Sequence, residues 1–234
     1  MSTSAFSARP FRRRTFLRVA GATAASTALV LAGCGSDDDP TPTTPTGTFL
    51  TFTKDDNGVL NLAYLLEQLE AAFYQKVVDK FPGDFTTEDK AAFIDLRDHE
   101  VIHREFLKFA LGSSVYDAGT TTPLAFNFDS FTLTTRAGVY AAARTLEDIG
   151  VGAYNGAAKL LSSTRTLELL AKLASVEARH AAFVREQAQA DSFASTGIVD
   201  VNGLDTVKTP AEVAVLLTPY VPLTLVVDNL TALS

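Results

Sequence analysis

Tryptophan is missing from this chain, its one Met is residue 1 and its one Cys is Cys34. A lone Cys excludes an internal disulfide and a thiolate zinc site. A body without Trp or Met, and without a free thiol if Cys34 is modified, lacks the most easily oxidised side chains. Contact with peroxide or oxygen suits such a composition, and drift produces it equally. Positive charge is scarce outside the first segment. Five of the 20 Lys+Arg (Arg9, Arg12, Arg13, Arg14 and Arg18) fall in residues 1–33, which hold no acid, and 15 remain against 27 Asp+Glu. So acidic a body argues against nucleic acid as partner, because phosphate binding needs a basic surface. It suits the attraction of cations. Long apolar runs are absent too: Val19–Leu31 is rich in Ala, Gly and Thr and falls short of the ~20 apolar residues a membrane span needs.

What is present begins with a targeting segment, residues 1–33, to be kept out of fold reasoning. Arg13-Arg14-Thr15-Phe16-Leu17-Arg18 resembles a twin-arginine export signal, with Arg12 where that pattern prefers Ser or Thr. Leu31-Ala32-Gly33-Cys34 resembles a bacterial lipobox, in which the signal is cut before the Cys and the Cys is acylated. The competing reading is an ordinary signal peptide with an incidental Cys. The place of Cys34 at the end of the apolar run favours lipidation, and more than one acyl chain gives stable anchoring. Residues 34–48 then form a Pro/Thr/Asp tether with nothing to bury. The expected location is the periplasm or cell envelope, with a membrane contact through Cys34.

The body, residues 49–190, reads as four helices. Asp56–Asn57 suits an N-cap for the first, which ends before Phe81-Pro82-Gly83. Thr86-Thr87-Glu88-Asp89 opens the second, which stops at Leu111-Gly112. The third runs from about Thr134 to Leu161 and the fourth, after a short Ser162-Ser163-Thr164 break, to about Ala190. Residues 113–131 have no helical period, a link far longer than the median of ~4–6 residues. A 25-residue helix is ~37 Å long, and 19 extended residues at ~3.3 Å each can span it. The long link therefore crosses from one end of the bundle to the other, while short links make the other helices hairpins. Residues 191–234 form a C-terminal extension packing on the bundle. In it Asp200–Asp205 reads as a turn, since no acid closes a calcium loop, and Thr209-Pro210 starts a short helix.

Each of the four helices carries acids at mid-length inside its apolar stripe. At 3-4 spacing the second gives Phe93, Leu96, Glu100, His103, Leu107, Ala110, and the fourth Leu170, Leu173, Glu177, His180, Val184. The first gives Leu60, Ala63, Glu67, Glu70, Tyr74, Val77, and the third Tyr140, Ala143, Glu147, Gly150, Tyr154. These are one half-motif repeated: Glu67 and Tyr74 map onto Glu147 and Tyr154 at an offset of 80, and Glu100 and His103 onto Glu177 and His180 at 77. Buried ions left unpaired cost several kcal/mol each, so two divalent cations are the expected compensation. Residues at i and i+3 share a helix face, letting each Glu-x-x-His offer O and N to one site. That donor mix suits iron or manganese. Glu70 shares the seam with Glu67, but the repeat pairs it with Gly150, so it is left out of the ligand set. Tyr74 and Tyr154 read either as core residues or as hydrogen-bond partners of the ligands. His99 is turned about 100° from Glu100 and is read as ordinary, and Asp148 and Arg144 stay outside the set.

Glu67-x6-Tyr74, Glu100-x-x-His103, Glu147-x6-Tyr154 and Glu177-x-x-His180 resemble the ligand pattern of the ferritin-like superfamily, with bacterioferritin, rubrerythrin and manganese catalase. The segments LEQLEAAFY, DHEVIHREFL, LEDIGVGAYNGAA and VEARHAAFV look more closely like the ferritin-like family that includes plant desiccation-related proteins and exported bacterial homologues. The resemblance implies an all-α ferritin-like four-helix bundle. It also implies Glu100 and Glu177 bridging two iron or manganese ions, with Glu67 and His103, and Glu147 and His180, completing the ends. Expected chemistry is redox with oxygen or peroxide: ferrous oxidation or peroxide removal under stress. The rivals are a non-catalytic metal-binding or structural stress protein and an interaction module. A tethered chain suits a closed iron-storage cage poorly, whereas a homodimer fits. No Cys-rich iron–sulfur segment supplies a built-in electron donor.

Overall fold

The computed structural model describes residues 48–195 and 197–230. The expected export signal, the expected lipidation at Cys34 and most of the expected tether lie outside those residues. Four long helices form the body: α1 (Asp56–Asp79), α2 (Thr87–Leu111), α3 (Arg136–Ala157) and α4 (Thr164–Ala188). The all-α bundle expected from the seams is the fold observed. α1 packs along α2, α3 packs along α4, and α1 lies against α3. Among the described residues no helix is long and apolar enough to cross a membrane.

The helix starts follow from local chemistry. The first N–H groups of a helix have no intrahelical acceptor, and Asp55, Thr86, Thr135 and Ser163 supply one to each of the four. The cap of α1 is Asp55, one residue before the expected Asp56. Asp56 instead accepts from the Ser162 and Ser163 backbone N–H at 2.8 and 3.0 Å, tying the α3–α4 turn to the start of α1. The stripes face inward as patterned, except that Leu111 rather than Ala110 closes the buried row of α2. Aromatic residues fill one end of the interior, with Phe93 against Tyr74 and Tyr140 at centroid distances of 5.5 and 5.1 Å.

Asp89 clasps that end. It closes a capping box with Thr86, accepts from the Tyr140 hydroxyl at 2.7 Å and takes both Nε and Nη2 of Arg136 at 2.9 and 3.0 Å. Arg136 reaches on to the Gln187 carbonyl at 3.2 Å, so α2, α3 and α4 are joined. The arginine holds the Asp89 carboxyl well below the usual carboxylate range, against the upward push of burial. Asp89→Ala should cost about 2 kcal/mol, since it strips a cap and orphans two donors, of which Arg136 can still turn to water. Thermal melting should fall by about 4–8 °C, and an unchanged melt would show that the clasp holds nothing.

The C-terminal extension is strapped to α3. Lys208 N–H donates to the Gly152 carbonyl at 2.8 Å, its ammonium donates to the Asp148 carbonyl at 2.7 Å, and Asn155 holds the Thr206 carbonyl at 3.1 Å. Gly156 permits this approach, because a Cβ there would collide with the Lys208 carbonyl. Helix α5 (Pro210–Leu217) follows behind the Thr209 capping box. Asp200 accepts from Asn202 and Leu204 N–H, so 200–205 is the expected turn. One element has no counterpart in the sequence reading: β1 (Phe49–Thr51) pairs in parallel with β2 (Thr224–Val226), joining the two ends of the described body.

Candidate metal centre

The inward acids meet at mid-bundle. Glu67, Glu100, Glu147 and Glu177 are fully buried, and His103 and His180 are 6% and 5% exposed. α1 and α3 contribute one of these carboxylates each, and α2 and α4 a Glu and a His each, one helical turn apart. Their ligand atoms form two overlapping groups: Glu67, Glu100, His103, Glu177, and Glu100, Glu147, Glu177, His180, each within 4.8 Å. Glu100 and Glu177 belong to both. The six residues singled out by the repeat are thus brought together.

The contacts are crossed between the halves. His103 Nδ1 lies 2.6 Å from Glu177 Oε1, 3.3 Å from Glu100 and 3.4 Å from Glu67. His180 Nδ1 lies 2.7 Å from Glu100 Oε1, 3.7 Å from Glu177 and 4.0 Å from Glu147. Tyr74 on α1 donates to Glu147 Oε1 on α3 at 2.5 Å, and Tyr154 on α3 donates to Glu67 Oε1 on α1. Each hydroxyl fixes one oxygen of a carboxylate and leaves the other pointing inward. Glu67 Oε2, Glu147 Oε2, both oxygens of Glu100 and Glu177, and both Nδ1 atoms have no hydrogen-bond partner, because the short contacts lack hydrogen-bond geometry. Buried polar atoms are almost always paired. Eight orphans converging on one spot are what remains when the partner is a cation, and this carboxylate–imidazole mixture fits iron or manganese better than calcium or magnesium.

Electrostatics without a cation lead to the same place. Burial, then the Glu177 charge, pushes Glu67 well above the usual carboxylate range, and burial does the same to Glu147. Burial alone would lower both imidazoles, yet the carboxylates around them push His103 up to about 12 and His180 up to about 11. Glu100, against the opposing effect of burial, is brought down to about 2 by those two histidines. The cluster thus traps protons where positive charge is needed, and bound cations would displace them.

Two residues were passed over in the sequence. His99, read as ordinary, is exposed, stacks on His180 at 5.2 Å between centroids, and places Nδ1 3.0 Å from His180 Nε2. That contact engages the outer nitrogen of His180 and leaves Nδ1 free for the interior. Glu70 is 1% exposed with neither oxygen partnered. Its place in the apolar seam was the available signal for it, whereas His99 had none. Asp148 faces outward from the cluster and pairs with buried Arg185 at 2.7 Å, with Arg144 at 3.7 Å.

A family model described as a ferritin-like domain matches residues 55–190, the span of the four helices. No curated protein matches the chain.

Proposed function

Because the chain belongs to the ferritin-like domain family, we propose that its bundle holds two iron or manganese ions and uses them in redox chemistry with oxygen or peroxide, or on ferrous ion. The observation that carries this reading is the convergence of unpartnered donor atoms from Glu67, Glu100, His103, Glu147, Glu177 and His180 in a buried interior. Glu67 with His103, and Glu147 with His180, would each hold one ion, and Glu100 with Glu177 would be shared between them. When bound, such a pair supplies the electron transfer that reduction of oxygen or peroxide requires.

The protein's own residues do the positioning. Tyr74 and Tyr154 hold the end carboxylates across the bundle, so that α1 and α3 each steady a ligand of the other. His99 orients His180 and stands between it and solvent. Burial of every donor favours reactants no larger than oxygen, peroxide or a metal ion over organic substrates. Arg13-Arg14 and the segment ending in Cys34 support export by a twin-arginine route and lipid anchoring in the cell envelope. There the tether would keep the bundle off the membrane surface.

The test is the metal content of the full chain, purified in detergent from cells supplied with both metals, followed by assays of peroxide consumption and ferrous oxidation. About two ions per chain with turnover is the expected result. Bound metal without turnover would replace the redox reading with non-catalytic metal binding. A folded helical protein that takes up no metal on reconstitution would overturn both.

A further inference from the structure

We infer that Glu70 is an additional carboxylate donor serving the ion held by Glu147 and His180, and that it makes the two ion positions unequal. This rests on the metal-binding reading above. The two halves of the site repeat in sequence and in space, which makes any departure from the repeat visible. Glu70 is one: its counterpart at an offset of 80 is Gly150.

The departure is built into the packing. Glu70 is 1% exposed and both its oxygens lack partners, whereas the buried carboxylate Asp89 is met by Thr86, Tyr140 and Arg136. Burying a carboxyl with nothing to meet it is costly. The glycine explains how it fits, since a Cβ on Gly150 would stand 2.8 Å from Glu70 Oε1. Gly150 is one helical turn past Glu147, on the same face of α3. The Glu70 carboxyl has therefore crossed from its own helix to lie beside Glu147.

A second departure marks the same position. His99 backs His180, while its counterpart at an offset of 77 is Val176, which cannot back His103. Glu70 stands outside both four-residue groups, with its carboxyl against Gly150, one helical turn from Glu147. Its three side-chain torsions allow it to close that gap on an ion. The Glu147–His180 position thus has one more anionic donor to draw on than the Glu67–His103 position, and should bind its ion more tightly.

Cobalt(II), added alone to the full chain after chelation, tests this through equilibrium titration and the d–d absorption that reports coordination. The wild type should fill in two steps at least about tenfold apart in Kd. Glu70→Gln should weaken the tighter step by at least about tenfold and alter its absorption, leaving the weaker step unchanged. Glu147→Gln should remove that same step, and Glu67→Gln the other. Gly150→Ala, which pushes the Glu70 tip aside without removing it, should also weaken the tighter step, and it decides the matter if Glu70→Gln does not fold. Two unaltered steps in Glu70→Gln, equal weakening of both, or loss of the step that Glu67→Gln removes would each overturn the inference while leaving the metal centre standing. A wild type that binds no cobalt would overturn both.

Discussion

Replacing Glu100 and Glu177 together by alanine is expected to take the bound metal from about two ions per chain to none. The two carboxylates belong to both four-residue groups, so the double variant leaves Glu67 with His103 at one position and Glu147 with His180, and Glu70 set back from them, at the other. Each position loses half of its four-residue group, and the ligands the two ions would share are gone from both, so the two positions fail together. Single changes at the ends should behave differently: Glu67→Ala leaves the second group intact, and Glu147→Ala leaves the first. The double variant should still fold. It removes two carboxylates from the buried interior, and with them charges that raise the proton affinity of His103 and His180. The Leu and Phe of the seams are untouched. Elemental analysis beside far-UV circular dichroism checks both halves of the expectation. One or more ions retained by a normally helical double variant would show that Glu100 and Glu177 are not the shared ligands.

How much of this was legible in the sequence depends on the range of the interaction. Helix starts are set by a side-chain oxygen within three residues, so the caps were readable to within about a residue. The inward acids were readable because 3-4 spacing puts Glu100 and His103 in one row with Phe93 and Leu107. The repeat then separated Glu67 from Glu70 as a ligand candidate. That step was also where the repeat concealed something, since a glycine opposite a glutamate is not an empty place but room for its carboxyl. His99 could not be read at all. Its contact with His180 depends on how α2 and α4 are rotated against each other, and a single helix carries no record of its neighbour's rotation. The β1–β2 pair is likewise beyond local reading, since each strand is three residues long and the partners are brought together only after the bundle has formed. The strap through Lys208 is similar: Gly152 and Gly156 were visible as small residues on α3, but what they admit comes from the far end of the chain.

Stripped of metal, the protein is expected to melt at least about 10 °C lower near pH 8.5 than near pH 5.5, and to reverse that order when loaded with manganese(II). In the metal-free fold Glu67, Glu70 and Glu147 have proton affinities raised well above the ordinary carboxylate range, burial being the first cause for each. A group raised in this way contributes stability that is fully present below its unfolded pKa and is lost as pH rises toward its folded one. His103 and His180, raised to about 12 and about 11, act in the same direction above their unfolded value. Glu100, lowered to about 2, loses its contribution only in strong acid and is silent in this window. Each group that stays protonated in the fold but has lost its proton in the unfolded chain costs about 1.4 kcal/mol per pH unit. One such carboxyl over three pH units is worth about 4 kcal/mol, and about 10 °C for a domain of this size. A histidine counts only above its unfolded value, so the stated shift needs one of the three carboxyls or both histidines to behave this way. Metal turns the sign around because its ligands must be carboxylate and neutral imidazole. Every proton released on binding makes affinity, and with it the stability conferred by the ion, rise with pH. Thermal melts at the two pH values, with chelator and with manganese(II), read both slopes in one series. A metal-free melting temperature that stays flat or climbs with pH would mean that the cluster is ionised in the fold without a cation, and the compensation argued for the metals would lose its ground.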